Sequence, residues 1–164
     1  MSSGLYIESN LTENEKYKVI LEQLSYILLK EDNPLSSLAN LTALLKQTFD
    51  KISWVGFYLY DSKRLYLGPF QGKLACTNIE LGKGVCGKSA ANKISIIVPN
   101  VNEFPGHIAC DPESKSEIVI PVLIGEELFG VLDIDSSSLN SFTETDKKYL
   151  ESVCKYLSDK ILKK

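Results

Sequence analysis

Two hydrophobic periods alternate along the chain, and their order sets the expected fold. From Tyr17 onward apolar residues recur at Ile20, Leu21, Leu24, Ile27 and Leu28, a stripe with the period of a helix. Thr12 and Glu15 ahead of it form a capping box that satisfies the free N–H groups of the first turn. Asn33-Pro34 ends that helix and starts another, with Asn33 as N-cap and Pro34 in the first helical position. Leu38, Leu41, Leu44 and Leu45 make the second stripe, which ends near Phe49.

The period changes at Ser53. Residues 54–60 are aromatic and β-branched, Asp61-Ser62-Lys63 is a polar turn, and residues 65–70 resume as a strand, so the pair predicts a hairpin. Residues 74–77 predict a third short strand. Gly82-Lys83-Gly84 breaks the chain before a short Ala- and Ser-rich helix at 85–92 and a strand at 94–98 that Pro99 ends. Residues 100–116 show no period and contain Pro105, Gly106 and Pro112; a stretch of this kind in a compact domain is more often functional than idle. A second hairpin follows, 117–124 and 128–134 around Gly125-Glu126-Glu127. Thr143 and Asp146 then open a last helix striped by Tyr149, Val153, Tyr156, Leu157 and Ile161.

Hairpin-joined strands with helices gathered at both chain ends predict an α+β fold: an antiparallel sheet with the terminal helices on one face. A length of 164 residues fits a single domain spanning residues 1–164. Such a chain buries enough surface to fold without disulfides. The net charge of −3, with Arg64 the sole arginine, argues against a nucleic-acid partner. No apolar run approaches the roughly 20 residues of a membrane helix, and residues 1–10 lack the features of a signal peptide. The expected compartment is the cytoplasm, where thiols stay reduced. The four cysteines therefore point to packing, metal or redox chemistry.

Each of these has candidates. Gly82, Gly84 and Gly87 spell G-x-G-x-x-G, but a dinucleotide site also needs a parallel βαβ unit and an acid at the end of the next strand, which here ends Val98-Pro99-Asn100. Cys76, Cys86, His107 and Cys110 are one candidate zinc set, although only His107 and Cys110 have the close spacing of structural ligand pairs. Cys154, on the apolar side of the last helix, reads as a small core residue. Cys110 differs, because it sits on an aperiodic loop bounded by Gly106 and Pro112. A nucleophilic thiolate belongs on such a positioned, reachable loop, and a nearby His107 favours it; a buried free thiol beside a surface histidine is the other reading. Asp133 and Asp135 are two apart in a strand and so share a face, and Glu117 opens the neighbouring strand. Clustered carboxylates bind an ammonium and keep one member protonated near neutrality; a polar sheet end is the alternative. In the first strand Trp54 and Tyr58 alternate with Val55 and Phe57, which separates a pocket-facing set from a core-facing set.

The motifs occur in order: Trp54-Val-Gly-Phe-Tyr58, Gly68-Pro-Phe-Gln-Gly72, Ala75-Cys76-Thr77, Gly82-Lys-Gly-Val-Cys86-Gly87, Gly106-His-Ile-Ala-Cys110-Asp111, Ser116-Glu-Ile-Val119 and Gly130-Val-Leu-Asp-Ile-Asp-Ser136. The set resembles the free methionine-(R)-sulfoxide reductases, small enzymes built on a GAF domain, over residues 12–160. That resemblance implies a single GAF-like domain and a metal-free, cofactor-free oxidoreductase acting on free methionine sulfoxide. It implies that Cys110 attacks the sulfoxide, that Cys76 resolves the sulfenic acid as a disulfide, and that Cys86 is a second resolving or relay thiol. It places Glu117, Asp133 and Asp135 in the substrate pocket and Trp54 and Tyr58 against the methyl-sulfoxide end. Thioredoxin is the implied reductant. A homodimer through the terminal helices is compatible with the fold. The competing function is a non-catalytic GAF-type sensor of a small molecule or of redox state, which usually sits beside an output domain that this length leaves no room for.

Overall fold

A computed structural model describes residues 5–163. Helix α1 (Glu13–Ile27) opens with the expected reciprocal cap: Glu15 N–H donates to Thr12 Oγ1, and Thr12 N–H donates to Glu15 Oε2. Helix α2 (Pro34–Thr48) starts where Asn33 caps the N–H of Leu35. Strands β1 (Trp54–Tyr60) and β2 (Arg64–Gln71) form the first hairpin, followed by β3 (Asn78–Glu80), helix α3 (Gly84–Asn92) and β4 (Ile96–Val98). A single 3-10 turn, Val101–Glu103, interrupts the long loop. The second hairpin is β5 (Ser116–Ile124) and β6 (Glu127–Ser136). Helix α4 (Glu144–Tyr156) continues into a π-helical turn, Leu157–Leu162.

The expected third strand at 74–77 is not a strand. Pairing with β2 starts at Asn78, and Leu74 is 91% exposed. Residues 73–76 instead offer carbonyls to the first strand, where Trp54 Nε1 donates to Lys73 O and Tyr58 OH donates to Cys76 O.

All six strands join one antiparallel sheet in the order β3-β2-β1-β6-β5-β4. The larger core lies on one face, where Val55, Phe57, Ile118, Ile120, Leu132 and Ile134 meet apolar residues of α1, α2 and α4. This is the expected α+β arrangement, with the terminal helices on one side. Helix α3 lies on the other face, where Val85, Cys86 and Ala90 pack with Trp54, Tyr58, Val119 and Val131. Cys154 packs in the larger core, and burial pushes its thiol up to about 12. Among the described residues no helix is long and apolar enough to cross a membrane.

The register positions the site. Across three neighbouring strands Trp54 lies opposite Asp135, and Asp135 opposite Glu117. One row along, Gly56 lies opposite Asp133, and Asp133 opposite Val119. Directly opposed residues project from the same face, so the two hairpins carry one indole and three carboxyl groups to one place. Gly56 leaves the room: a Cβ there would stand 2.5 Å from the Trp54 ring and from Phe70 Cβ.

Candidate active site

The pocket on the α3 face is lined by Trp54, Tyr58, Cys86, Glu117, Asp133, Asp135 and Cys110, with His107, Ile108 and Ser114 on the loop side. Among the residues expected at the site, Cys76 alone stands outside that lining. It is joined to the lining through a disulfide with Cys110, their Cα atoms 5.7 Å apart. That separation lies inside the 4.4–6.8 Å range a disulfide requires, although 34 residues separate the two in sequence. Cys110 is on the exposed loop, and Cys76 is half-buried behind it. Lys73 and Glu113, from the same two segments, form an ion pair at the surface.

Trp54 and Tyr58 stack at 6.0 Å between ring centroids, and Trp54 stacks on Phe70 at 5.4 Å. Their polar ends are held by the carbonyls of Lys73 and Cys76. These rings therefore form a pocket wall and also fix the segment that carries Cys76. Burial, then the Asp133 charge, pushes Tyr58 up, so it stays a phenol.

The floor is acidic and mostly buried. Glu117 and Asp133 are 5% and 6% exposed. Burial, then the charge of Asp135, raises Glu117 to about 8. Burial, then the neighbouring carboxylate, holds Asp133 and Asp135 well above the usual carboxylate range. Three acids this close do not all ionise at neutral pH, so the cluster retains protons. Cys86 is a buried free thiol that donates to Glu117 Oε1 at 3.9 Å. Burial and the nearby carboxylates push its ionisation well up. His107 Nε2 stands 3.5 Å from Glu117 Oε2 with 14% of its side chain exposed, and burial lowers its basicity.

Two sequence readings fall at this point. The disulfide removes Cys76 and Cys110 from the four-residue zinc set. The three glycines do not form a dinucleotide site, because every strand pairing is antiparallel. Gly87 serves close packing instead: Gly82 N–H donates to Gly87 O at 2.8 Å, and a Cβ on Gly87 would meet Glu80 O at 2.3 Å. Sequence reasoning did not select Ile108 or Ser114. Ile108 closes over Gly84, whose missing Cβ would lie 3.0 Å from Ile108 Cδ1. Their signal was the aperiodic loop itself, which marks a segment without ranking its members.

A family model described as GAF domain matches residues 36–161. The chain is 48% identical over 160 residues to GAF domain-containing protein A of Dictyostelium discoideum, covering 97% of this chain and 100% of that one. It is 40% identical over 152 residues to the free methionine-R-sulfoxide reductase of Escherichia coli, covering 93% and 92%. Among solved structures, free methionine-R-sulfoxide reductase from Neisseria meningitidis in complex with its substrate superposes with a TM-score of 0.91 at 41% identity, covering 96% of this chain and 95% of that one. The chain thus belongs to the GAF-domain proteins and, within them, to the free methionine-R-sulfoxide reductase family.

Proposed function

We propose that this chain reduces free L-methionine-(R)-sulfoxide to L-methionine, with Cys110 as nucleophile, Cys76 as resolving thiol and thioredoxin as reductant. The observation that carries the reading is the Cys76–Cys110 disulfide at the edge of a pocket floored by Glu117, Asp133 and Asp135. The named relatives of Escherichia coli and Neisseria meningitidis support the substrate.

The chemistry balances with these groups. Sulfoxide oxygen leaves only once protonated, and a carboxyl raised to about 8 still holds a proton at neutral pH. The Cys110 thiolate attacks the sulfoxide sulfur while a floor carboxyl protonates the oxygen. The oxygen ends on Cys110 as a sulfenic acid, and methionine departs with two more electrons than the sulfoxide. The Cys76 thiol then forms the S–S bond, and the sulfenic hydroxyl leaves as water with the Cys76 proton. The two thiols of thioredoxin return Cys76 and Cys110 to thiols and themselves become a disulfide.

The other roles follow the same geometry. Cys110 lines the pocket while Cys76 stands behind it, which favours Cys110 as the attacking sulfur. Trp54 and Tyr58 hold the methyl-sulfoxide end, and the ionised members of the acid cluster pair with the substrate ammonium. Cys86 is the weaker candidate for a second resolving or relay thiol, since exchange proceeds through thiolate and its ionisation is pushed well up.

The test is NADPH consumption in the presence of thioredoxin, thioredoxin reductase and the free sulfoxide. Methionine formed should equal NADPH consumed, and Cys110→Ser should slow turnover by at least about a thousandfold. Full turnover by Cys110→Ser would overturn the assignment. A folded wild type that binds the sulfoxide and consumes no NADPH would be a sensor.

A further inference from the structure

On the pocket floor Cys86 Sγ, one Glu117 oxygen and one Asp133 oxygen lie within 4.8 Å of one another, all on buried residues. The Cys86 Sγ to Glu117 Oε1 separation is 3.9 Å. Tetrahedral zinc, bonded at about 2.3 Å to sulfur and about 2.1 Å to oxygen, sets adjacent S and O donors about 3.6 Å apart. A second observation is independent of that spacing. Asp133 Oδ1, on a residue only 6% exposed, has no hydrogen-bond partner among the described residues. A buried carboxyl oxygen left without a partner is expensive to keep in a fold. Among the described residues no lysine or arginine forms an ion pair with Glu117, Asp133 or Asp135.

We propose that Cys86, Glu117 and Asp133 form a binding site for one thiophilic divalent cation of the zinc class, which closes the pocket floor to substrate. Sulfur beside two carboxylate oxygens suits zinc or cadmium and disfavours magnesium and calcium, which take oxygen alone. Cys86 binds as thiolate and Glu117 and Asp133 as carboxylates, and every proton these three groups hold in the free site passes to solvent. Three protein donors leave a fourth position for water, the arrangement of an open zinc site. His107 stands 3.5 Å from Glu117 Oε2, the oxygen that does not face Cys86. It therefore pairs with Glu117 from outside the three-donor cluster, as outer-shell groups orient metal-bound carboxylates. The proposed substrate ammonium and the metal draw on the same acids, so the two exclude one another.

The site is tested on the disulfide form, in which Cys76 and Cys110 are joined and only Cys86 and Cys154 remain as thiols. Titration with Cd²⁺ alone should give one bound ion per chain, with thiolate-to-cadmium charge-transfer absorption in the ultraviolet that Zn²⁺ removes by displacement. Cys154→Ala should keep the absorption. Cys86→Ala should lose it, with affinity reduced at least about 100-fold, since even outer-shell changes reduce metal affinity about 10–100-fold. Asp133→Asn keeps the side-chain shape and the thiol; it should weaken binding by about tenfold or more, and it decides the matter if Cys86→Ala does not fold. Absence of the absorption in wild type, or its survival undiminished in Cys86→Ala or Asp133→Asn, overturns the proposal. Binding is measured without sulfoxide, so a failed metal site and a failed reductase reading are distinguished.

Discussion

On one face of the sheet Val55, Phe57, Ile118, Ile120, Leu132 and Ile134 meet three helices and are sealed from water. On the other face the same strands present Trp54, Gly56, Tyr58, Glu117, Asp133 and Asp135. Successive residues of a strand point to opposite faces, so neither set contributes to the other. Burial acts on both with opposite results. It stabilises the aliphatic face, and it forces the acidic face to hold protons or find a cation. The hydrophobic face carries stability, and the acidic face is a stability liability retained beside the disulfide.

That contrast is open to direct attack. The largest separation should come from Glu117→Gln, which removes an ionisable group from the floor. On the proposed mechanism kcat/KM for the free sulfoxide should fall about 10²–10⁴-fold, while the chemical-denaturation midpoint at pH 8 stays put or rises. A stability loss as large as that of a core truncation would erase the distinction. Ile120→Ala on the opposite face should behave in reverse, losing about 2–5 kcal/mol of unfolding free energy as measured by urea titration.

The pH dependence sharpens the comparison further. Glu117 ionises at about 8 in the folded chain and near its ordinary 4.5 when unfolded. The folded state therefore holds the extra proton between those values. Its stability contribution is complete below the unfolded value and is lost as pH rises through the folded one. Chelator-treated protein should lose roughly 1.4 kcal/mol per pH unit for each proton so retained. Denaturation midpoints from pH 5 to 8 should show a shallower slope in Glu117→Gln, and an unchanged slope would remove Glu117 from the buried proton reservoir. The smallest effect belongs to a site remote from both faces. Thr12→Ala removes one half of the α1 capping box and should reduce stability by about 1 kcal/mol, with the pH slope intact.

Much of this architecture was legible because its signals are local. Thr12–Glu15, Asn33-Pro34 and the two hairpin turns act within a few residues, and the observed elements begin and end close to them. The shared face of Asp133 and Asp135 follows from the strand period alone. Residues 74–77 misled because Leu74 and Ala75 look like strand residues, whereas they line the pocket. The carbonyls that flank them, of Lys73 and Cys76, accept from Trp54 and Tyr58, about 20 positions earlier, a contact no local pattern encodes. The pairing of His107 with Glu117 and the closure of Ile108 over Gly84 are also products of the loop's path across the sheet. Family resemblance, not periodicity, joined Cys76 to Cys110 in advance.

The Cys76–Cys110 bond also closes a covalent ring that contains β3, α3, β4 and most of the long loop. A ring spanning a separation of 34 residues removes disorder from the unfolded chain worth about 3.8 kcal/mol in the chain-entropy model. Around a thermodynamic cycle the same quantity appears twice. The bond steadies the folded chain against melting, and the folded chain steadies the bond against reduction by an equal amount. A protein that opens and closes this ring at each turnover would alternate between a heat-tolerant and a heat-sensitive form, so the relative amplitudes of its two melting transitions would report the fraction of molecules awaiting a reductant.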